Sequence, residues 1–153
     1  MTSEAQIAEI LGIRGRAGDA TSLLLLADEV NKGLPLSALN RVVSQVAPFD
    51  NTFIYRFVPK STLARRLAHQ KRSASRRKQA RLSAVQGAKV ARLAEVWAFA
   101  KEVWGSDEQA RDFLFRPHPL LEGRRPIDVV LANEFGRPLV DGILGRLQYG
   151  SAA

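Results

Sequence analysis

Apolar residues recur at helical spacing through most of this 153-residue chain. Steps of three and four residues place side chains on a single face of a helix. One such set consists of Leu36, Leu39, Val42, Val43 and Val46. A broader apolar face between Val90 and Trp104 predicts a long helix that is buried on one side. Because no stretch of the sequence has a convincing two-residue period of a strand, the pattern predicts an all-α fold.

Capping residues, glycines and prolines predict where the helices begin and end. Helix starts are expected at Ser83 with Gln86 three residues later, at Ser106 with Gln109, and at Pro126 and Pro138 as first helical residues. Helix ends or breaks are expected at Gly33, Gly105 and Gly136. The sequence EAQIAEIL at 4–11 could form a short helix, but GIRGRAGDA follows it, so residues 1–20 are predicted to be a flexible N-terminal segment.

A helix-turn-helix motif is predicted around Pro59. A short helix capped by Asp50 would end at Phe57, and a second helix would run from the cap Ser61 to about Gln70. On this second helix the apolar side, expected to pack inward, consists of Leu63, Ala64 and Leu67. The outward side consists of Thr62, Arg65, Arg66 and His69, whose donors suit phosphates and guanine edges.

Composition narrows the class of protein. The chain has no cysteine, which excludes disulfides, thiolate metal sites and cysteine nucleophiles and fits a reducing compartment. Apolar runs such as Leu23–Ala27 are far too short to span a bilayer. These features predict a soluble, cytoplasmic protein.

The net positive charge of the protein comes from the middle of the chain. Residues 51–94 contain 12 Lys or Arg and no acid, whereas residues 1–50 (four basic, six acidic) and 95–153 (seven basic, nine acidic) each have a net charge of −2, which gives the total of +8. Such a segment favours a polyanion. It lacks the Trp, Phe and Leu stripe of a membrane-surface helix, so nucleic acid is the predicted partner.

Ten residues of this basic segment are predicted to contact DNA. They are Lys60, Ser61, Thr62, Arg65, Arg66, Lys71, Arg72, Arg76, Arg77 and Lys78. The last three lie in a serine-rich connector, and we expect them to contact phosphates irrespective of base sequence. Specificity is expected to lie just before them, in the predicted recognition helix.

Several stretches resemble the Xre/MbcA/ParS antitoxin family. They are VPKSTLARRL at 58–67, RLS at 81–83, LLEGRRPIDVVL at 120–131 and VDGILGRLQYG at 140–150, so the resemblance covers roughly residues 33–150. It implies an Xre-type helix-turn-helix part followed by a C-terminal helical part that binds a toxin. It further implies that the partner is a RES-domain toxin that depletes NAD, that the antitoxin covers the toxin's active site, and that it represses its own operon.

The resemblance also implies a division of the chain and a set of toxin-binding residues. Residues 21–82 would bind DNA and dimerise, 83–105 would form a connecting helix, and 106–153 would bind toxin. The implied toxin contacts are Arg124, Pro126, Asp128, Arg146, Leu147, Tyr149 and Gly150. The sequence departs from the family at Phe57, where a turn glycine is usual, and at Arg125, where a capping threonine is usual.

Two other classes of function compete with an antitoxin that forms a homodimer and binds operator DNA. A stand-alone nucleic-acid-binding protein, associated with RNA or the nucleoid, explains the basic segment but leaves the C-terminal signature unexplained. An enzyme is not predicted, because His69 and His118 have no partner at ligand or catalytic spacing. No cofactor and no metal are expected.

Overall fold

The computed structural model describes residues 3–13, 22–72 and 80–150. They form the α-helices α1 (Glu4–Leu11), α2 (Leu23–Lys32), α3 (Leu36–Val46), α4 (Lys60–Arg72), α5 (Ala84–Trp104), α6 (Asp107–Phe115), α7 (Pro126–Ala132) and α8 (Gly136–Gln148). Short 3-10 turns occupy Phe53–Arg56 and Pro119–Leu121. The prediction of an all-α fold is confirmed.

The long helix α5 lies at the centre of the molecule. It packs against α1, α2 and α3 on the N-terminal side and against α6, α7 and α8 on the C-terminal side. Its buried residues, among them Leu93, Val96 and Trp97, belong to one hydrophobic cluster that spans both sides. The helix predicted to connect two parts of the chain is therefore the shared core of both.

The predicted caps account for three ends of two helices, α5 and α6. Ser83 accepts a hydrogen bond from the backbone of Gln86, and the Gln86 side chain accepts one from the backbone of Ser83, so α5 begins with a complete capping box. Gly105 ends the helix at a φ of 81°, which favours glycine. Ser106 caps α6 through the backbone of Gln109, as predicted.

Three predictions about helix boundaries are wrong. The flexible segment predicted over 1–20 is wrong for Glu4–Leu11, which form the short helix that the sequence also allowed, capped and with Ile7, Ile10 and Leu11 buried in the core. Burial of these apolar side chains stabilises the helix even though glycines follow it in the sequence. Residues 14–20 of that prediction lie outside the described residues. Ser61 does not cap α4, which already begins at Lys60, and the helix predicted between Asp50 and Phe57 is only a 3-10 turn.

The positions of Pro138 and Gly136 in the helices also differ from those predicted. Helix α8 begins at Gly136, so Pro138 is its third residue; the first-turn amides have no acceptor within the helix and proline is tolerated there. Gly136 does not separate α7 from α8 but lies against the backbone of Val129, where a Cβ atom would collide with the Val129 carbonyl oxygen. This glycine sets the close approach of the two helices.

Two glycines of α8 provide a matched pair of substitutions. We expect Gly136→Ala to lower the free energy of unfolding by on the order of 3 kcal/mol, because backbone must move to admit the methyl group. Gly142→Ala should raise it by about 0.5 to 1 kcal/mol, because alanine is the better helix former and no atom lies within 4 Å of the new Cβ. Urea unfolding measures both; changes of the same sign would contradict the packing described.

The apolar side predicted for α4 is not buried. None of its residues is buried: Leu63 is half-buried against the core, Ala64 is exposed, and Leu67 is 43% exposed. The prediction of an inward-packed face is therefore wrong for Ala64 and Leu67, and of the three residues Leu63 alone packs against the core. Helix α4 instead lies at the surface, with Leu63 against the core and Arg66 bonded to Gln86 of α5.

No helix in the described ranges has the length and apolar character needed to cross a membrane.

Candidate functional site

The outer side of α8 presents exposed apolar residues on the C-terminal surface. Val140, Ile143 and Leu144 bury the inner side of the helix. The residues that point away from the core, hereafter the outer face of α8, are Leu139, Gly142, Gly145, Arg146 and Tyr149. Leu139 is 58% exposed and Tyr149 is 79% exposed, and Phe135 beside the helix start is 76% exposed.

Both glycines of this face are costly for the free protein. Glycine in a helix interior is less favourable than alanine by about 0.5 to 1 kcal/mol. No neighbouring atom lies within 4 Å of the Cβ position of Gly142 or of Gly145, so packing within the chain does not require either glycine. A bare helix surface flanked by exposed apolar side chains permits close approach by another molecule.

The structure divides the predicted toxin-binding residues into two groups. Five are exposed: Arg124, Arg146, Leu147, Tyr149 and Gly150. The other two have structural surroundings, because Pro126 is buried at the start of α7 and Asp128 is half-buried in an ion-pair cluster. The side chain of Pro126 is thus removed from the surface, while its helix-starting role agrees with the sequence prediction.

Asp128 joins the two sides of the molecule. Its carboxylate accepts hydrogen bonds from Arg125 at 2.7 and 3.0 Å and from Arg56, in the 3-10 turn before α4, at 2.9 Å. The hydrogen bonds from Arg125, helped by that from Arg56, hold the pKa of Asp128 below its ordinary value against the opposing effect of burial. Arg125 cannot cap α7 through an acceptor as threonine would, and it binds Asp128 of the first turn instead.

Replacing Asp128 should give a pH-dependent loss of stability. Because the pKa of Asp128 is lowered on folding, its contribution is present above the unfolded pKa of about 3.9 and is lost as pH falls through the lowered folded value. We expect Asp128→Asn to lower the free energy of unfolding by about 1 kcal/mol at pH 7, since the group is partly exposed.

Chemical denaturation from pH 7 to pH 3 measures this difference, which should shrink below about pH 4. Asp112→Asn is the matched control, because Asp112 pairs with Arg116 at 2.8 Å on an exposed surface. A loss for Asp112→Asn as large as that for Asp128→Asn would contradict the structural role of Asp128.

A second ion-pair cluster fixes the inner side of α8. Arg137 lies 2.6 Å from Glu95 of α5 and 3.2 Å from Asp141 one turn along α8. Burial raises the pKa of both carboxyl groups, and the charge of Arg137 opposes this effect. These contacts hold α8 against α5, which leaves the outer face of α8 directed away from the core.

The predicted DNA-binding residues lie on α4 or outside the described residues. Lys60, Ser61, Arg65, Lys71 and Arg72 are exposed, whereas Thr62 and Arg66 are half-buried. The Arg66 guanidinium donates a hydrogen bond of 3.0 Å to Gln86. The predicted phosphate contacts Arg76, Arg77 and Lys78 lie outside the described residues.

Phe57 does not require an unusual backbone. Its φ is −102°, and its ring is buried in the core, with the Phe53 ring centroid at 5.7 Å. A left-handed residue, which would favour glycine, is not needed in this turn. The departure from the family's usual glycine is therefore accommodated by packing.

The two histidines have different surroundings. His118 accepts a hydrogen bond through Nδ1 from the backbone of Leu120 at 3.1 Å and packs edge-on against Phe113, which is a structural role. His69 is exposed on α4. Within the described ranges, no three His, Cys, Asp or Glu side chains are grouped so as to hold a metal ion.

These features define an all-helical protein whose C-terminal helices present an exposed apolar surface. Residues 99–150 match the family model of the antitoxin Xre/MbcA/ParS C-terminal toxin-binding domain. The match confirms, for residues 99–150, the resemblance to that antitoxin family seen in the sequence. No curated protein matches the chain.

Sequence reasoning missed part of the outer face of α8. Phe135, Leu139 and Gly145 were not among the predicted contacts, because apolar residues occur all round this helix and the sequence does not say which side is covered. The available signal was the pair Gly142 and Gly145 within an otherwise helical stretch. Arg56, which binds Asp128 from 72 residues away, had no sequence signal.

Proposed function

We propose that this protein is the antitoxin of a RES-domain toxin that depletes NAD, and that the outer face of α8 covers the active site of that toxin. The observation that carries the proposal is this exposed apolar, glycine-bearing face within the residues that match a toxin-binding domain. Tyr149 and Arg146 supply the aromatic and guanidinium groups that interface hot spots favour. Leu147 and Gly150 extend the surface at the end of the helix.

We further propose that α4 binds operator DNA and that the antitoxin thereby represses its own operon in the cytoplasm. Support comes from the net charge of residues 51–94 and from the exposure of basic side chains such as Arg65, Lys71 and Arg72 along α4. A homodimer fits this role, since two-fold proteins read half-sites about 34 Å apart. No cofactor and no catalytic step are part of the proposal.

Co-expression with the neighbouring gene product tests the toxin partner. If the neighbour is a RES-domain protein, its expression alone should lower cellular NAD and stop growth, and this antitoxin should restore both and co-purify with it. Restored growth without a complex, or a complex that gives no protection, would contradict the proposal. Deleting α8 is a poor test, because Val140, Ile143 and Leu144 would leave the core.

The second candidate is a stand-alone nucleic-acid-binding protein. The basic segment favours this candidate. It does not explain why residues 99–150 match a toxin-binding domain. A neighbouring gene for a RES-domain protein favours the antitoxin. Absence of such a gene, with tight binding of nucleic acid by the isolated chain, would favour the alternative.

A further inference from the structure

A cationic pocket lies between α4 and the segment that leads into α5. It has a volume of about 350 Å³ and is lined by Arg65, Arg66, His69, Ala80 and Arg81. Arg81 was not predicted to face DNA, and His69 was placed on the outward side of the recognition helix but not among the ten predicted contacts. Although Arg81 is 15 positions from Arg66 in the sequence, the fold brings both to the same opening.

Arg81 is held in place by its backbone and its side chain. The neighbouring residues Ala80 and Leu82 form backbone hydrogen bonds with Leu36 and Leu34, at 3.0 and 2.7 Å. The Arg81 guanidinium donates a further hydrogen bond of 2.7 Å to the carbonyl oxygen of Gly33. The guanidinium is thus positioned before any ligand arrives, which lowers the entropy cost of binding.

Arg66 is positioned by the cap of the next helix. The side-chain oxygen of Gln86 accepts hydrogen bonds from Arg66 and from the backbone of Ser83, each at 3.0 Å. Because α4 has no buried residue, this hydrogen bond helps to fix the helix relative to α5. Gln86 therefore both caps α5 and orients a side chain of α4.

The charge of the pocket is not compensated within the described residues. Both anchors, the Gly33 carbonyl and the Gln86 amide, are neutral acceptors. None of the four basic side chains of the pocket forms an ion pair with a carboxylate in the described part of the chain, and residues 51–94 contain no acid. Guanidinium groups held by neutral acceptors keep their full charge and free N–H donors for an anion.

We propose that Arg65, Arg66, His69 and Arg81 form a binding site for adjacent backbone phosphates of duplex DNA, with Gln86 as a positioning residue and with Arg66 and Arg81 on different phosphates. This inference rests on the proposed DNA-binding role of α4 and adds two phosphate-binding residues and one positioning residue to it. The planar fork of arginine matches the oxygens of a phosphate, and arginines bound in this way fix the register of a protein on DNA without reading its sequence.

The salt dependence of binding to a 30-base-pair duplex of arbitrary sequence tests the site. Removal of one arginine–phosphate interaction should reduce the slope of log affinity against log salt by about 0.9. We expect this reduction for Arg81→Ala and for Arg66→Ala, measured by fluorescence anisotropy of the full-length protein from 50 to 200 mM KCl. Arg116→Ala is the matched control; it removes an exposed arginine paired with Asp112 and should leave the slope unchanged.

The role of Gln86 is tested at a single salt concentration. Gln86→Leu should weaken duplex binding about threefold, because Arg66 loses its acceptor, and the salt slope should stay near that of the wild type. Ser83→Ala is the matched control, since it also breaks the capping box but leaves the Gln86 oxygen available to Arg66. Equal weakening by both variants would overturn the positioning role.

The possible outcomes separate this inference from the function on which it rests. Failure of the wild type to bind the duplex at 50 mM KCl would overturn both the DNA-binding role and the phosphate site. Duplex binding whose slope changes equally little in Arg81→Ala and Arg116→Ala would overturn the phosphate site alone. Stronger binding of single-stranded RNA of the same length would overturn the assignment to duplex DNA.

Discussion

Leu139→Asp is expected to abolish protection against the toxin while leaving the antitoxin folded. Leu139 is 58% exposed in the free protein, so a carboxylate there remains in water and costs the fold little. In the proposed complex the same carboxylate would be buried against the toxin without a partner, which should weaken binding about 100-fold or more. Growth during toxin co-expression and titration calorimetry of the purified proteins measure the loss.

Leu24→Asp is the matched control for this substitution. Leu24 is 72% exposed on α2, outside residues 99–150, and its replacement adds the same charge to the surface. We expect full protection by this variant. If Leu24→Asp lost protection as well, or if Leu139→Asp kept it, the outer face of α8 would not be the toxin-binding surface.

Gly142→Ala tests the same surface, because it should change stability and toxin binding in opposite directions. The alanine variant is expected to be more stable than the wild type, yet it should bind toxin less tightly, because a methyl group would stand where the partner approaches the bare helix. A glycine that lowers stability at this position is understandable if binding requires a bare helix surface.

Trp97→Ala is expected to cause the largest loss of stability, about 3 to 5 kcal/mol. Trp97 is fully buried in α5, and its indole N–H donates to Gln45 of α3 at 3.3 Å. Arg111 of α6 lies over its ring at 5.7 Å and also donates to the backbone of Gln45 at 2.8 Å. The side chain thus links helices from both sides of the molecule, and its removal should lower Tm by on the order of 10 °C.

Thermal unfolding followed by circular dichroism measures this effect. Trp104→Ala is the control, because Trp104 lies one heptad later on the same helix but is 37% exposed. Its loss of stability should be clearly smaller. Equal losses would mean that Trp97 does not link the two sides as the structure indicates. The sequence placed both tryptophans on one apolar face, and only the packing separates their roles.

The sequence by itself determined the elements that depend on local chemistry. Helices capped by Ser83 and Ser106, the ends at Gly33 and Gly105, and the absence of a strand pattern follow from backbone hydrogen bonding and side-chain periodicity, which act over a few residues. The concentration of positive charge in 51–94 and the antitoxin-like C-terminal stretches could also be identified without coordinates.

The tertiary structure decided which surfaces are covered. It buried the apolar side of α1 and left Ala64 and Leu67 of α4 exposed. It also brought Arg56 to Asp128, and it turned Gly142 outward while pressing Gly136 against Val129. Each of these outcomes depends on which helices meet across long stretches of chain, because burial is a property of the assembled packing. A helical pattern states which residues share a face, and only a neighbour decides whether that face is core or binding surface.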